Sequence, residues 1–212
     1  MKKKTLIDIL LLIFITLEFS KGYMNPLYHE IFGIILIILL LIHLILNKNY
    51  LKNISKGKYN LSRTIMLTIN TLFMLTFILS LLFGILSSEV LLKSFNIGSF
   101  TIIKLHKICA YMSIIIMGFH LGINFNAMFS KITKRIKNKS LLHITKLIII
   151  LYGIYSFIRL DILKHILGTY GFSIIEGNIL INIFEYLSIV MMIVLVMNRI
   201  YNKIKKGDKN ER

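Results

Sequence analysis

HEIFGIILIILLLIHLILN (29–47) reads as a membrane helix broken only by His29, Glu30 and His43. Unpaired in hydrocarbon, an ionisable side chain costs several kcal/mol, so one inside a span points to function. A second stretch repeats the plan: HKICAYMSIIIMGFHLGIN (106–124). Each has a histidine, a small residue four later, a second histidine at fourteen, then leucine, then asparagine at eighteen. The positions are His29, Gly33, His43, Leu44 and Asn47, and His106, Ala110, His120, Leu121 and Asn124. With six histidines in 212 residues, chance gives both spacings roughly once in a thousand. We read this as an internal repeat of a functional unit.

The chain around these stretches is 56% hydrophobic, with one Pro, no Trp and a mean hydropathy of +0.77. No soluble domain of this length covers so much Ile, Leu and Phe. Several runs approach the roughly 20 apolar residues that cross a bilayer. The sequence predicts an all-α integral membrane bundle of about six transmembrane helices in a single domain. The spans fall near 5–22, 27–47, 64–87, 101–128, 144–160 and 178–200, with Pro26 at the start of the second. The repeat sits in a core at about 1–128, followed by a C-terminal helix pair at about 144–200. Asp8 and Glu18 interrupt the first span, which could be a signal peptide. No A-x-A-like site precedes Lys21, so a retained helix is expected.

The net charge of +17 is distributed unevenly. Basic residues gather at the N-terminus, in 48–63, in 131–139 and at the C-terminus, and the intervening connections are poor in them. That alternation is the positive-inside pattern. It predicts cytoplasmic termini, a multi-pass place in the plasma membrane, and contact with anionic lipid, not nucleic acid. The longest outer connection, 161–177, is amphipathic enough to lie along the interface, or is an ordinary connector. His143 and His165 fall at span edges or in a loop, where solvent or headgroup is expected. Cys109 is the only cysteine and lies within a span.

Fourteen residues at about 100° each come within roughly 40° of four full turns, so the histidines of one span share a face. They stand roughly 21 Å apart along the axis, too far for one metal ion to take both. One span separates the second from the fourth, so these two run parallel. His29 then matches His106 in depth, and His43 matches His120. Two stacked pairs of imidazoles across two helices suit two b-type haems, whose irons accept two axial ligands each. Gly33 and Ala110, one turn inward of the outer histidines, leave room for a ring. Gly118 and Gly122, flanking His120, would relieve crowding around the inner one. Asn47 and Asn124 either hydrogen-bond a propionate or cap the helix end. Arg63, Lys104 and Lys107 are candidate propionate partners or plain interfacial anchors.

On the two H-x3-small-x9-H-x3-N spans, the basic start KKKTLIDILLL, the loop KGKYNLSR and the tail from about 150, the chain resembles a known group. These are the small bis-histidine membrane cytochromes of the flavinylation-associated type, distantly like ferric-reductase transmembrane domains. The resemblance covers most of the chain, and the paired histidine motif is its specific element. It implies haem b at His29, His43, His106 and His120, and electron export to an extracytosolic protein carrying covalently bound flavin mononucleotide. Ala110 stands where that pattern often has glycine.

No G-x-G-x-x-G follows a strand and no soluble segment could form a nicotinamide or flavin domain. The expected role is an electron-transfer component of an oxidoreductase system, not a stand-alone enzyme. Its donor would be a membrane quinol or a separate reductase. Glu18, Glu185 and Tyr155 are the candidate pieces of a quinol or proton site, each equally readable as a structural contact. The alternative is a haem-free transporter or assembly subunit whose histidines bind protons or metal ions. It needs polar groups between the two histidine levels, and residues 30–42 and 107–119 offer only Glu30, Lys107, Cys109, Tyr111 and Ser113.

Overall fold

A computed structural model describes residues 3–124, 138–169 and 178–210. Residues 125–128 of the expected fourth span, the basic stretch 131–137 and positions 170–177 of the long connection lie outside the described residues. Every regular element among the described residues is helical. They are α1 (Lys3–Glu18), α2 (Pro26–Leu46), α3 (Lys48–Lys52), α4 (Leu61–Leu86), α5 (Phe100–Asn124), α6 (Lys139–Arg159), α7 (Ile162–Ile166) and α8 (Ile179–Asn210), joined in places by single 3-10 turns.

Local chemistry sets the starts. Asn25 accepts a hydrogen bond from the Leu27 N–H at 2.9 Å while Pro26 fills the first helical position, where its missing N–H costs nothing. Asn60 and Asn138 cap α4 and α6 in the same way, through the N–H groups of Arg63 and Leu141. Among the described residues five helices, α2, α4, α5, α6 and α8, are long and apolar enough to cross a membrane. The expected first span is shorter: α1 has 16 residues, about 24 Å at 1.5 Å per residue against a hydrocarbon core of about 30 Å.

Two antiparallel hairpins, α1–α2 and α4–α5, form one side of the bundle. Helix α8 packs against α5 on one flank and α6 on another. Its buried residues Tyr186, Ile189, Val190, Ile193, Val194 and Met197 recur at three- and four-residue steps, the stripe of a core-facing helix. Outward faces stay apolar: Ile38, Leu41 and Ile45 on α2, Leu75 and Leu82 on α4, Leu147, Leu151 and Ile158 on α6. Such a surface is consistent with lipid as the solvent.

Gly118 and Gly122 do not face an imidazole. A Cβ at Gly118 would lie 2.7 Å from Ile193 Cβ, and one at Gly122 2.8 Å from Met197 Cβ. They let α5 and α8 approach closely, a small-xxx-small contact. The reason is helical geometry: two residues from His120 is about 200° around the axis, the opposite face.

The described start of the 161–177 connection is amphipathic: Ile162 and Ile166 pack on the core, while Leu163 and Leu167 are 57% and 63% exposed. Asp161 adopts φ 48° and turns the chain out of α6. Ile162 is fully buried, and His165 stacks on Tyr111 with centroids 4.0 Å apart and planes 6° from parallel. Burial, then the Lys107 charge, push the His165 imidazole down to about 4, against a weaker opposing pull from Asp161. Docked, the ring is neutral, and undocked it titrates near 6.5. The docking is therefore complete above about pH 6.5 and weakens as pH falls from there towards 4. Hydrogen exchange at residues 162–168 is expected to be slow and pH-corrected-constant at pH 7 to 8 and to accelerate at pH 5. Equal protection at pH 5 and 7.5 would contradict this.

Candidate functional site

Each of the four repeat histidines turns Nδ1 to a neighbouring helix, three of them by a hydrogen bond and His29 by an ion-pair contact in which its Nδ1 has no hydrogen-bond partner among the described residues. In the first hairpin, His29 pairs with the Glu18 carboxylate and His43 Nδ1 lies 2.8 Å from Asp8 Oδ1. In the second, His106 Nδ1 lies 2.8 Å from the Ser80 carbonyl oxygen and His120 Nδ1 2.9 Å from Asn70 Oδ1. Asp8 and Glu18 are ten residues apart, as are Asn70 and Ser80. The two hairpins thus present the same device: a pair of acceptors ten apart on one helix facing two histidines fourteen apart on the next. Helical hairpins make this natural, since residues near the turn meet at one end and residues far from it at the other.

An acceptor at Nδ1 fixes the tautomer that carries its proton there and turns Nε2 outward as a free lone pair, the usual arrangement behind a metal-ligating imidazole. Nε2 of His29, His106 and His120 has no hydrogen-bond partner among the described residues. That of His43 has the Asn47 amide at 3.4 Å. No group of three or more His, Cys, Asp or Glu side chains converges for a metal ion among the described residues. What the helices offer is imidazoles in pairs.

At one end of the two hairpins two of these rings come together. The His29 and His106 rings stand 6.0 Å apart between centroids, with planes 79° from parallel. A metal–imidazole bond is about 2 Å and a ring nitrogen lies about 1.1 Å from its centroid, so two imidazoles across one metal have centroids about 6 Å apart. The His106 ring rests on Gly84, where a Cβ would come within 3.2 Å of Cε1. A Cβ on Gly33 would meet nothing within 4 Å, so the space beside α2 is open. A narrow cleft of about 30 Å³, room for about one water, is lined here by Lys21, His29, Gly84, Ser87 and His106. At the inner level His43 and His120 are each anchored, with no ring contact between them among the described residues. Phe73 lies 5.1 Å from the His120 ring.

Other predicted positions fall as follows. Asn47 and Asn124 each donate Nδ2 to the carbonyl of the histidine four residues earlier, at 2.9 and 2.8 Å, so the structure places both amides on the helix ends. Ala110 is half-buried on α5. Arg63 is tied to its own loop, donating to the carbonyls of Asn53, Ile54, Lys56 and Lys58 and covering the Tyr59 ring. Lys104 packs its stem against Gly168. Glu185 pairs with Arg159, and Tyr155 is exposed beside Tyr152. His143 is exposed, as a span edge suggests.

Glu30 holds the loop that follows α4. Its carboxylate accepts the main-chain N–H groups of Glu89, Val90 and Leu91 at 2.7, 2.9 and 2.6 Å. Glu30→Ala should free this loop at a cost of about 1 kcal/mol, since the bonds are exposed. That corresponds to roughly fivefold faster amide exchange at 89–91; unchanged exchange would contradict it.

Comparisons with protein-family models, curated proteins and solved structures return no match.

Proposed function

We propose that this chain is a transmembrane electron conduit that holds two b-type haems, one between His29 and His106 and one between His43 and His120. The observation that carries the reading is the hydrogen bonding of Nδ1 at His43, His106 and His120, which leaves Nε2 as the atom each offers, together with the 6.0 Å spacing of the His29 and His106 rings. The open space at Gly33 and the glycine seat at Gly84 suit a flat group entering beside the outer pair. A bound haem supplies one-electron chemistry at its iron; the protein supplies axial ligands, burial and orientation. Glu18 and Asp8 make the α2 histidines stronger donors than the neutral acceptors make those of α5.

In this reading six helices span the plasma membrane with both termini cytoplasmic. Electrons enter at the level of His43 and His120 from a quinol or separate reductase. They leave at the level of His29 and His106 to an extracytosolic acceptor, such as a flavoprotein with covalently bound flavin mononucleotide.

A haem-free ion or proton carrier is the second reading, and the two histidine–carboxylate pairs favour it. Against it, two of the polar groups between the levels are engaged elsewhere: Glu30 on the loop after α4, and Ser113 on the Cys109 carbonyl at 2.7 Å. Haem content separates the two. Purified in mild detergent after expression with ample haem, the protein is expected to show a low-spin b-type reduced-minus-oxidised spectrum and two haems per chain by pyridine haemochrome. No haem would remove the conduit and leave the carrier.

A further inference from the structure

A recess lies at the opposite end from the cleft beside His29, between α3 and the first turns of α4. Tyr50, Ile54, Tyr59, Arg63, Met66 and Leu67 line a recess of about 180 Å³, smaller than most drug-sized sites and of a size for a single flat headgroup. Its wall is apolar and aromatic, braced by the Arg63 guanidinium 4.2 Å above the Tyr59 ring. It sits in the basic connection 48–63, where the membrane surface is expected. One polar group links it to the interior. Asn70 donates Nδ2 to the Tyr50 hydroxyl oxygen at 2.8 Å, and its Oδ1 accepts from His120 Nδ1 at 2.9 Å. Tyr50 therefore accepts from Asn70 and keeps its own hydroxyl proton, for which no acceptor is found among the described residues.

We infer that this recess binds the headgroup of a membrane 1,4-quinone or its hydroquinone, with the Tyr50 hydroxyl donating to a ring oxygen. The chemistry matches point by point. A flat ring suits walls of tyrosine, methionine and leucine, and a lipid-borne ligand reaches a mouth at the membrane surface. A ring oxygen supplies the acceptor that Tyr50 lacks. A phospholipid would satisfy the basic surroundings, but both terminal nitrogens of Arg63 are already turned to loop carbonyls. Nor would a phospholipid account for a hydrogen-bonded path ending on His120. The inference rests on the proposed function, for which it supplies a donor site next to the inner histidines; Tyr50 touches the ligand and Asn70 positions Tyr50.

The test is photolabelling of the full-length, haem-loaded protein in detergent with an azido-1,4-naphthoquinone, mapped by mass spectrometry, with haem counted on the same samples. Label is expected within residues 50–67 and should be displaced by unlabelled naphthoquinone. Leu67→Trp, which fills the recess, should cut it at least tenfold. Tyr50→Phe, which keeps the ring and removes only the donor, should weaken the probe about fivefold; both variants should keep two haems. Label elsewhere, label indifferent to both substitutions, or displacement by phospholipid and not by naphthoquinone overturns the site. Two haems with no labelling overturns this inference alone. Absence of haem overturns the proposed function and this inference with it.

Discussion

Alanine at His106 is expected to lower the haem content from two to one per chain and to stop electron flow across the membrane. The ring it removes sits on Gly84 and is locked by the Ser80 carbonyl, so no neighbouring side chain can take its place. His29 stands 6.0 Å away, centroid to centroid, and alone would offer a single ligand on one side of the iron. His29→Ala should give the same single loss, and so should the double variant, because the two imidazoles act as one unit and their effects do not add. His29→Ala combined with His43→Ala should instead remove both haems, one ligand from each level. Pyridine haemochrome stoichiometry reads all four cases. Transfer is read by reduction of an external, membrane-impermeant acceptor in vesicles. A single variant that keeps two haems, or a His29–His106 double variant that loses both, would contradict the pairing.

Much of this site is legible in the sequence. The four histidines, their spacing and the small residue beside His29 stand out because side-chain identity recurs at a fixed step. The anchors are less visible for a physical reason. Asp8 and Glu18 look like flaws in a weak span, and only the hairpin shows that each faces a histidine of the next helix. Their ten-residue step, matched by Asn70 and Ser80, is a signal in retrospect. Yet the Ser80 acceptor is a main-chain carbonyl, which any residue would supply. Gly84 carries no signal either, since glycine is common in membrane helices. Gly118 and Gly122 mislead through proximity in sequence: two positions from His120 along a helix is the far side of it. His165, placed at the surface by its loop, is drawn in by Tyr111 because burying the flat faces of both rings outweighs hydrating one neutral imidazole.

Arg159→Met is expected to cost about 3–5 kcal/mol of stability while leaving haem content at two. Glu185 is 1% exposed, and its carboxylate is held by Nε and Nη2 of Arg159, whose own side chain remains 40% exposed. Removing the arginine leaves a buried carboxylate with no counter-charge, and charge without a partner is what a low-dielectric interior penalises most. Replacing both residues by methionine should recover most of the loss, because an apolar pair of similar volume avoids desolvating either charge. Thermal unfolding in detergent reads the difference: a melting temperature lower by on the order of 10 °C for the single variant, and near wild type for the double. The haem count should not follow. Arg159 and Glu185 join α6 to α8, and α8 meets α5 on the face of Gly118 and Gly122. His106 and His120 leave α5 towards α4, where Ser80 and Asn70 hold them. A single variant that loses haem in step with stability would mean that the C-terminal helices shape the histidine pairs directly. Two haems on a less stable protein would assign α6 and α8 to support and the paired hairpins to chemistry.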